Sequence, residues 1–138
     1  MMRILLDTNI LLDVFFQREP YAAASDSVWQ ACEQGRCAGY ITPLTLVNIF
    51  YLARKQLRAQ KARELVVDTL SVFQVASLGF SEMEHALGLP LDDYEDAVQL
   101  AGALASGLDV IVTRNGKDFR GASIPALAPD AFLKQLSQ

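Results

Sequence analysis

Two rhythms alternate along this chain. Short unbroken apolar runs bounded by turn residues read as buried strands. Longer stretches with an apolar residue every three or four positions read as helices. Arg3 to Leu6 reads as a first strand; it stops at Asp7 and passes directly into a helix from Thr8 to about Gln17, with Ile10, Leu11, Val14 and Phe15 on its apolar face. Pro20 suits the first turn of a second helix, and Gly35 is its natural stop. Ala38 to Thr42 reads as a short strand, and Pro43 then opens a long helix through Lys55. A further helix is expected from about Ala59 to Ser71, followed by a strand from Phe73 to Leu78. Ser81 could cap a short helix to Leu87, which Gly88 and Pro90 interrupt. Asp92 or Asp93 caps a helix that ends near Gly107, and the β-branched run Asp109 to Thr113 is the clearest strand. Ile124 to Leu127 suggests a last short strand, with a helix from Pro129 onward.

Strands separated by helical stretches imply an α/β fold, with a parallel sheet covered on both faces. Right-handed crossovers bring the carboxyl ends of such strands to one edge, where open sheets bind ligands. Asp7, Thr42-Pro43 and the segment Thr113 to Asp118 would all lie there.

Composition changes this picture in five ways. A length of 138 residues fits one domain, 1–138. Hydrophobic residues make up 51%, above the usual range, and part of the excess could lie in a subunit interface. No apolar run reaches membrane-spanning length and no segment resembles a secretory signal, so the expected location is cytoplasmic. Cys32 and Cys37 offer neither a disulfide framework nor zinc spacing, and read as reduced thiols. A net charge of −4 argues against a general nucleic-acid coat protein, since phosphate affinity comes from Lys and Arg. It leaves a nuclease open, because a metal ion reverses the charge of an acidic pocket locally.

The chemistry-bearing residues are mostly acids. Asp92-Asp93-Tyr94-Glu95-Asp96 packs four carboxylates into five residues, more than a helix cap needs. Asp93 and Asp96 are spaced to share a helical face. First-turn acids are also simply favoured by the helix dipole. Asp7 has two readings, as an N-cap or as a site carboxylate, with Thr8 and Asn9 placed to hold it or a metal-bound water. Thr113 and Asn115 read either as an ordinary polar turn or as site residues, with Asp118 able to point back to the same edge. Asn48, within the apolar run Leu46 to Leu52, needs a partner: it is either a core amide or an oxygen ligand. Arg54, Lys55, Arg58 and Lys61 form either a solvated helix face or a track for an extended polyanion. Arg114, Lys117 and Arg120 could contact phosphate. His85 is the lone histidine, which argues against a histidine-rich metal site or a Ser-His-Asp triad, and no phosphate-cradling glycine loop is present.

Three segments in order, Ile4-Leu5-Leu6-Asp7-Thr8-Asn9, Asp93-Tyr94-Glu95-Asp96-Ala97-Val98-Gln99 and Ile111-Val112-Thr113-Arg114-Asn115-Gly116-Lys117-Asp118-Phe119, resemble the PIN domain over almost the whole chain. The resemblance implies a three-layer α/β/α sandwich with a central parallel sheet. It implies a Mg²⁺- or Mn²⁺-dependent endoribonuclease of the VapC toxin type, acting on single-stranded RNA, with an antitoxin as possible partner and a homodimer as the expected assembly. Asp7 and Asp96 match the family's first and third acids, with Asp93 auxiliary and Asp118 beside them. The sequence departs from the family at two positions: Asn48 stands where a Glu is usual, and Asn115 where the fourth acid is usual. Together these lower the charge of the metal site by up to two. Bases would stack on Tyr94 or Phe119 if these are exposed.

Two other classes compete. A PIN domain with a degraded site would bind RNA or protein without cutting, a reading motivated by Asn48 and Asn115. A receiver or phosphatase-like phosphotransfer domain fits less well. The third strand ends Ser77-Leu78-Gly79 without an acid, and Asn9 stands where a phosphatase needs its second Asp.

Overall fold

The computed structural model describes all residues, Met1–Gln138. Five strands, β1 (Arg3–Leu6), β2 (Ala38–Ile41), β3 (Gln74–Val75), β4 (Val110–Val112) and β5 (Ala126–Leu127), form one sheet in the order β3-β2-β1-β4-β5. Every neighbouring pair is parallel. Seven helices connect and cover it: α1 (Thr8–Phe16), α2 (Ala22–Glu33), α3 (Pro43–Ala53), α4 (Ala59–Val72), α5 (Phe80–Ala86), α6 (Tyr94–Ala105) and α7 (Pro129–Leu136). A single 3₁₀ turn spans Gly116–Phe119.

Side chains alternate across a strand, so the central strand feeds two cores. Ile4 and Leu6 enter a large cluster with Ile10, Leu11, Val28, Ile49, Leu65 and Phe132, drawn from α1, α2, α3, α4 and α7. Leu5 faces the other way, against Leu100 and Ala103 of α6. Ala97, Val98 and Ala101 of α6 in turn pack on Ala86 of α5. The result is the three-layer α/β/α sandwich with a central parallel sheet. The chain builds β1, β2 and β3 outward in one direction, then returns to place β4 on the other side of β1. The sheet therefore reverses winding between β1 and β4, and a crevice opens at their carboxyl ends.

Element boundaries differ from the sequence reading where the sheet ends. The expected strand Phe73 to Leu78 is reduced to Gln74–Val75, an edge strand with β2 on one side only, and both its residues are exposed. Pro20 lies before α2 rather than in its first turn; Tyr21 is the N-cap, and the amides of Tyr21 and Ala22 bond back to Arg18 O. Gly79, not Ser81, is the N-cap of α5, and the Glu82 carboxylate reaches back to accept from Gly79 N at 2.9 Å. Of the two candidate caps for α6, Asp93 is the one used. Cys32 and Cys37 are buried free thiols, with their sulfurs 3.6 Å apart. No helix is long and apolar enough to cross a membrane.

Candidate active site

Asp7 leaves β1 in extended conformation, with its N–H donating to Val112 O of β4 at 3.0 Å, and the chain then turns into α1. The Asp7 carboxylate caps α1 and also bonds the loop after β4. Its Oδ1 caps α1 by accepting from Thr8 N (2.8 Å), while its Oδ2 accepts from Thr113 Oγ1 (2.7 Å) and Asn9 Nδ2 (3.3 Å). Thr113 is itself held, its Oγ1 accepting from Asn115 N at 3.0 Å. The Thr8 hydroxyl turns away to Thr45, so only its amide serves Asp7.

On the opposite wall Asp93 caps α6 by accepting from Asp96 N at 3.1 Å. This places Glu95 and Asp96 in the first turn, facing Asp7. Asn48 reaches across from α3, its Nδ2 donating to Glu95 Oε1 at 3.3 Å. Asp7, Asn9, Asn48, Glu95, Asp96 and Asn115 line one cavity of about 400 Å³, closed on one side by Leu12, Tyr51 and Leu52. Asp93, Asp96 and Asp118 border an adjoining groove with Asp92, Lys117 and Arg120. Asp96 thus joins the two hollows.

Crowding of like charge in a partly dry site shows in the proton affinities. The Asp96 carboxyl is pushed up to about 7, first by burial and then by Asp93, Asp7, Asp118 and Glu95. Asp7 is raised by burial and by Asp118, against the opposing pull of its bonds to Thr113 and Thr8 and of the Arg114 charge. Glu95 is raised by burial, then by Asp93 and Asp7.

Several expectations need correction. Arg114 does not face the cavity as a phosphate contact. Its guanidinium forms a two-pronged bond to the fully buried Asp13 of α1 (2.7 and 3.1 Å) and lies 3.9 Å over the Tyr21 ring. Phe119 is core and offers no stacking surface, and Tyr94 is exposed but donates to Met83 O at 2.9 Å. Arg54, Lys55, Arg58 and Lys61 are all exposed; Arg54 Nη1 donates to Leu57 O at 2.8 Å and Lys61 pairs with Glu64 at 3.3 Å. Lys117 remains exposed beside Asp118.

The sequence reading did not single out Glu95, Asp13 or Gln99. Each carried a signal. Glu95 belongs to the acidic run, Asp13 is a lone charge in an apolar helix, and Gln99 is a lone amide in another.

No three Asp, Glu, His or Cys side chains form a ready cage for a metal ion. The donors present are hard oxygens, and one of them, Asn9 Oδ1 beside Asp7, is buried without any partner. A small hard cation that keeps most of its water and uses one or two carboxylates fits this set.

The profile of the PIN domain family matches residues 3–117. This chain belongs to the PIN domain family. Solved PIN-fold structures are similar over nearly their whole length. The VapBC2 complex from Rickettsia felis, bound to a promoter DNA fragment, superposes with a TM-score of 0.70 at 15% identity, covering 92% of this chain and 98% of that one. A toxin–antitoxin complex from Klebsiella pneumoniae gives 0.69 at 26% identity, covering 91% and 97%. The Mycobacterium tuberculosis toxin VapC20, described as cleaving the sarcin–ricin loop, gives 0.70 at 15% identity, covering 88% and 95%. No curated protein sequence matches this PIN domain significantly.

Proposed function

We propose that this PIN domain is a Mg²⁺- or Mn²⁺-dependent endoribonuclease that cleaves single-stranded RNA, and that it is the toxin of a type II toxin–antitoxin pair. The observation that carries the reading is the convergence of Asp7, Glu95 and Asp96 on one cavity, with Asp93 and Asp118 alongside. Such crowding is unfavourable without a cation, as the raised proton affinity of Asp96 reflects. Asp7 and Asp96 would hold the ion, with Asp93 and Asp118 in support and Asn9 Oδ1 within the same wall. The ion supplies positive charge that activates water for attack on phosphorus and steadies the leaving oxygen. The chain's own residues do the rest. Thr113 and Asn9 fix the Asp7 carboxylate, and Asn48 fixes Glu95.

RNA would approach along α3 and the turn after it, where Arg54, Lys55 and Arg58 are exposed. Tyr51 is exposed at the cavity rim with the Lys55 ammonium 5.3 Å from its ring, which suits a stacked base next to a phosphate. Lys117 offers a second phosphate contact at the far rim. Several similar structures are toxin–antitoxin complexes, and this supports an antitoxin partner for the present chain.

Cleavage of a labelled single-stranded RNA in Mn²⁺ tests the proposal. Asp7→Asn and Asp96→Asn should each remove most activity while the protein stays folded, and EDTA should stop the wild type. Cleavage that survives EDTA, or that persists in both variants, defeats the mechanism. A second reading, an RNA- or protein-binding module without catalysis, is favoured by the two amides Asn48 and Asn115 in the cavity wall. RNA binding without cleavage at any Mn²⁺ concentration would select it.

A further inference from the structure

Beneath the acidic cavity four buried polar side chains form an unbroken chain of hydrogen bonds. Thr42 Oγ1 donates to Gln99 Oε1 (2.8 Å), and Gln99 Nε2 donates to Thr45 Oγ1 (2.9 Å). Thr8 Oγ1 donates to the same Thr45 oxygen (3.2 Å). All four residues are buried. They come from α1, from the start of α3 and from α6, and three of them lie in the cavity wall or within one turn of it. Thr8 follows Asp7. Thr42 follows β2 and caps α3 by accepting from Thr45 N (3.3 Å). Thr45 lies one turn before Asn48. Gln99 lies one turn after Glu95 and Asp96.

A buried amide in an apolar helix is unfavourable unless both its ends are bonded. Here both are, and none of these four side chains is left without a partner. Networks satisfied in this way fix one arrangement of the elements they join. A second feature sets the same contact. A Cβ added at Gly102 would lie 3.0 Å from Leu78 Cδ2 and 3.3 Å from Thr42 Cγ2, so α6 comes as close to Thr42 as a glycine allows.

We infer that Gln99 is a positioning residue for the acidic site. By bonding Thr42 and Thr45 at once, it fixes the rotation and height of α6, and so holds Glu95 and Asp96 opposite Asp7 and Asn48. The amide is the group that does this, because it offers an acceptor to one hydroxyl and a donor to the other from a single planar head. A methionine fills similar space and offers neither bond of comparable strength. The inference deepens the nuclease reading and rests on it for its activity arm only.

The test compares wild type with Gln99→Met, Thr45→Val, Thr45→Ser and the double variant Thr45→Val/Gln99→Met. Three readouts are taken: Mn²⁺ binding by titration calorimetry, melting temperature, and kcat and KM on a single-stranded RNA. Gln99→Met should weaken Mn²⁺ binding and lower kcat by about tenfold, the loss typical when an outer partner of a metal ligand is removed. KM for RNA should stay within about twofold, since the basic rim is untouched. Thr45→Ser keeps the hydroxyl and should behave as wild type, whereas Thr45→Val should lose Mn²⁺ affinity. The double variant also strands the Thr8 hydroxyl, so its melting temperature should not exceed that of Gln99→Met, and Mn²⁺ affinity should stay low. Recovery of Mn²⁺ affinity together with stability would reduce Gln99 to a packing role and overturn the inference. So would a folded Gln99→Met that binds Mn²⁺ as the wild type does. If Gln99→Met does not fold, the Thr45→Val and Thr45→Ser pair decides by the same criterion. Wild type that binds Mn²⁺ but cuts no RNA defeats the nuclease reading alone, and the positioning role is then judged on binding. Wild type that binds no Mn²⁺ overturns both.

Discussion

At the scale of single residues, Asp96 is the most exposed to a change in conditions. Its carboxyl holds a proton up to about 7 in the folded protein, against 3.8 ordinarily. An acid that binds its proton more tightly when folded stabilises the fold in the protonated form. That contribution is complete below the ordinary value and is lost as pH rises through about 7. Asp7 and Glu95 shift in the same direction. In EDTA the protein should therefore melt at a higher temperature near about pH 5 than near about pH 8. Mn²⁺ favours the ionised form and should raise the melting temperature more at the higher pH. Asp96→Asn should melt higher than wild type at the higher pH and flatten the dependence. Differential scanning calorimetry in EDTA and in Mn²⁺ checks all three; a wild-type curve that does not change with pH would show that the carboxylates are not crowded.

At the scale of elements, the turn after β4 depends on a latch to α1. Thr113 and Asn115 flank Arg114, which is tied to Asp13, and Ser25 Oγ of α2 lies 3.4 Å from the same carboxylate. Asp13 is wholly enclosed, so losing its partner strands a buried charge. Arg114→Met should cost about 3 kcal/mol in urea unfolding, the lower part of the range for breaking a buried pair. It should also depress cleavage, because the Thr113 hydroxyl that holds Asp7 is one residue away. Arg114→Lys keeps the charge and loses the two-pronged geometry, so its effect should be intermediate. Equal stability of wild type and Arg114→Met would mean that the pair is mechanically idle.

The whole molecule leaves apolar surface uncovered. Val47 and Tyr51 on α3 are 65% and 64% exposed, and Phe80 and Leu87 at the two ends of α5 are 80% and 75% exposed. A groove of about 420 Å³, lined by Pro43, Leu44, Val47, Leu78, Met83, Tyr94 and Val98, lies between these helices and shares Glu95 with the acidic cavity. Surface of this kind usually marks an interface. A two-fold pair would bury it against its own copy and bring two acidic cavities near each other. Sedimentation equilibrium at micromolar concentration should give twice the 15.2 kDa of one chain, and Val47→Asp should return it to the monomer. A wild-type monomer would leave this surface for another partner, with an antitoxin helix as the first candidate.

The sequence alone determined the order and type of the elements, because each obeys a local rule. β1, β4, α1, α3 and α6 declare themselves through apolar period, caps and glycine or proline stops within a few residues. It also marked Asp7, Asp93, Asp96, Asp118, Asn48 and Asn115, since an acid at a strand end or an amide in an apolar helix stands out against its neighbours. Other features were decided only by the tertiary structure. The edge strand β3 shrank because its pairing depends on one neighbour, which no local pattern reports. Arg114 left the site because Asp13, a buried acid many residues earlier, takes both prongs of its guanidinium. Glu95 joined the cavity because α6 packs on Thr42 and Thr45 through Gln99 and Gly102, with Glu95 in reach of Asn48. Those outcomes rest on contacts between positions far apart in the chain, and they are fixed only when the layers pack.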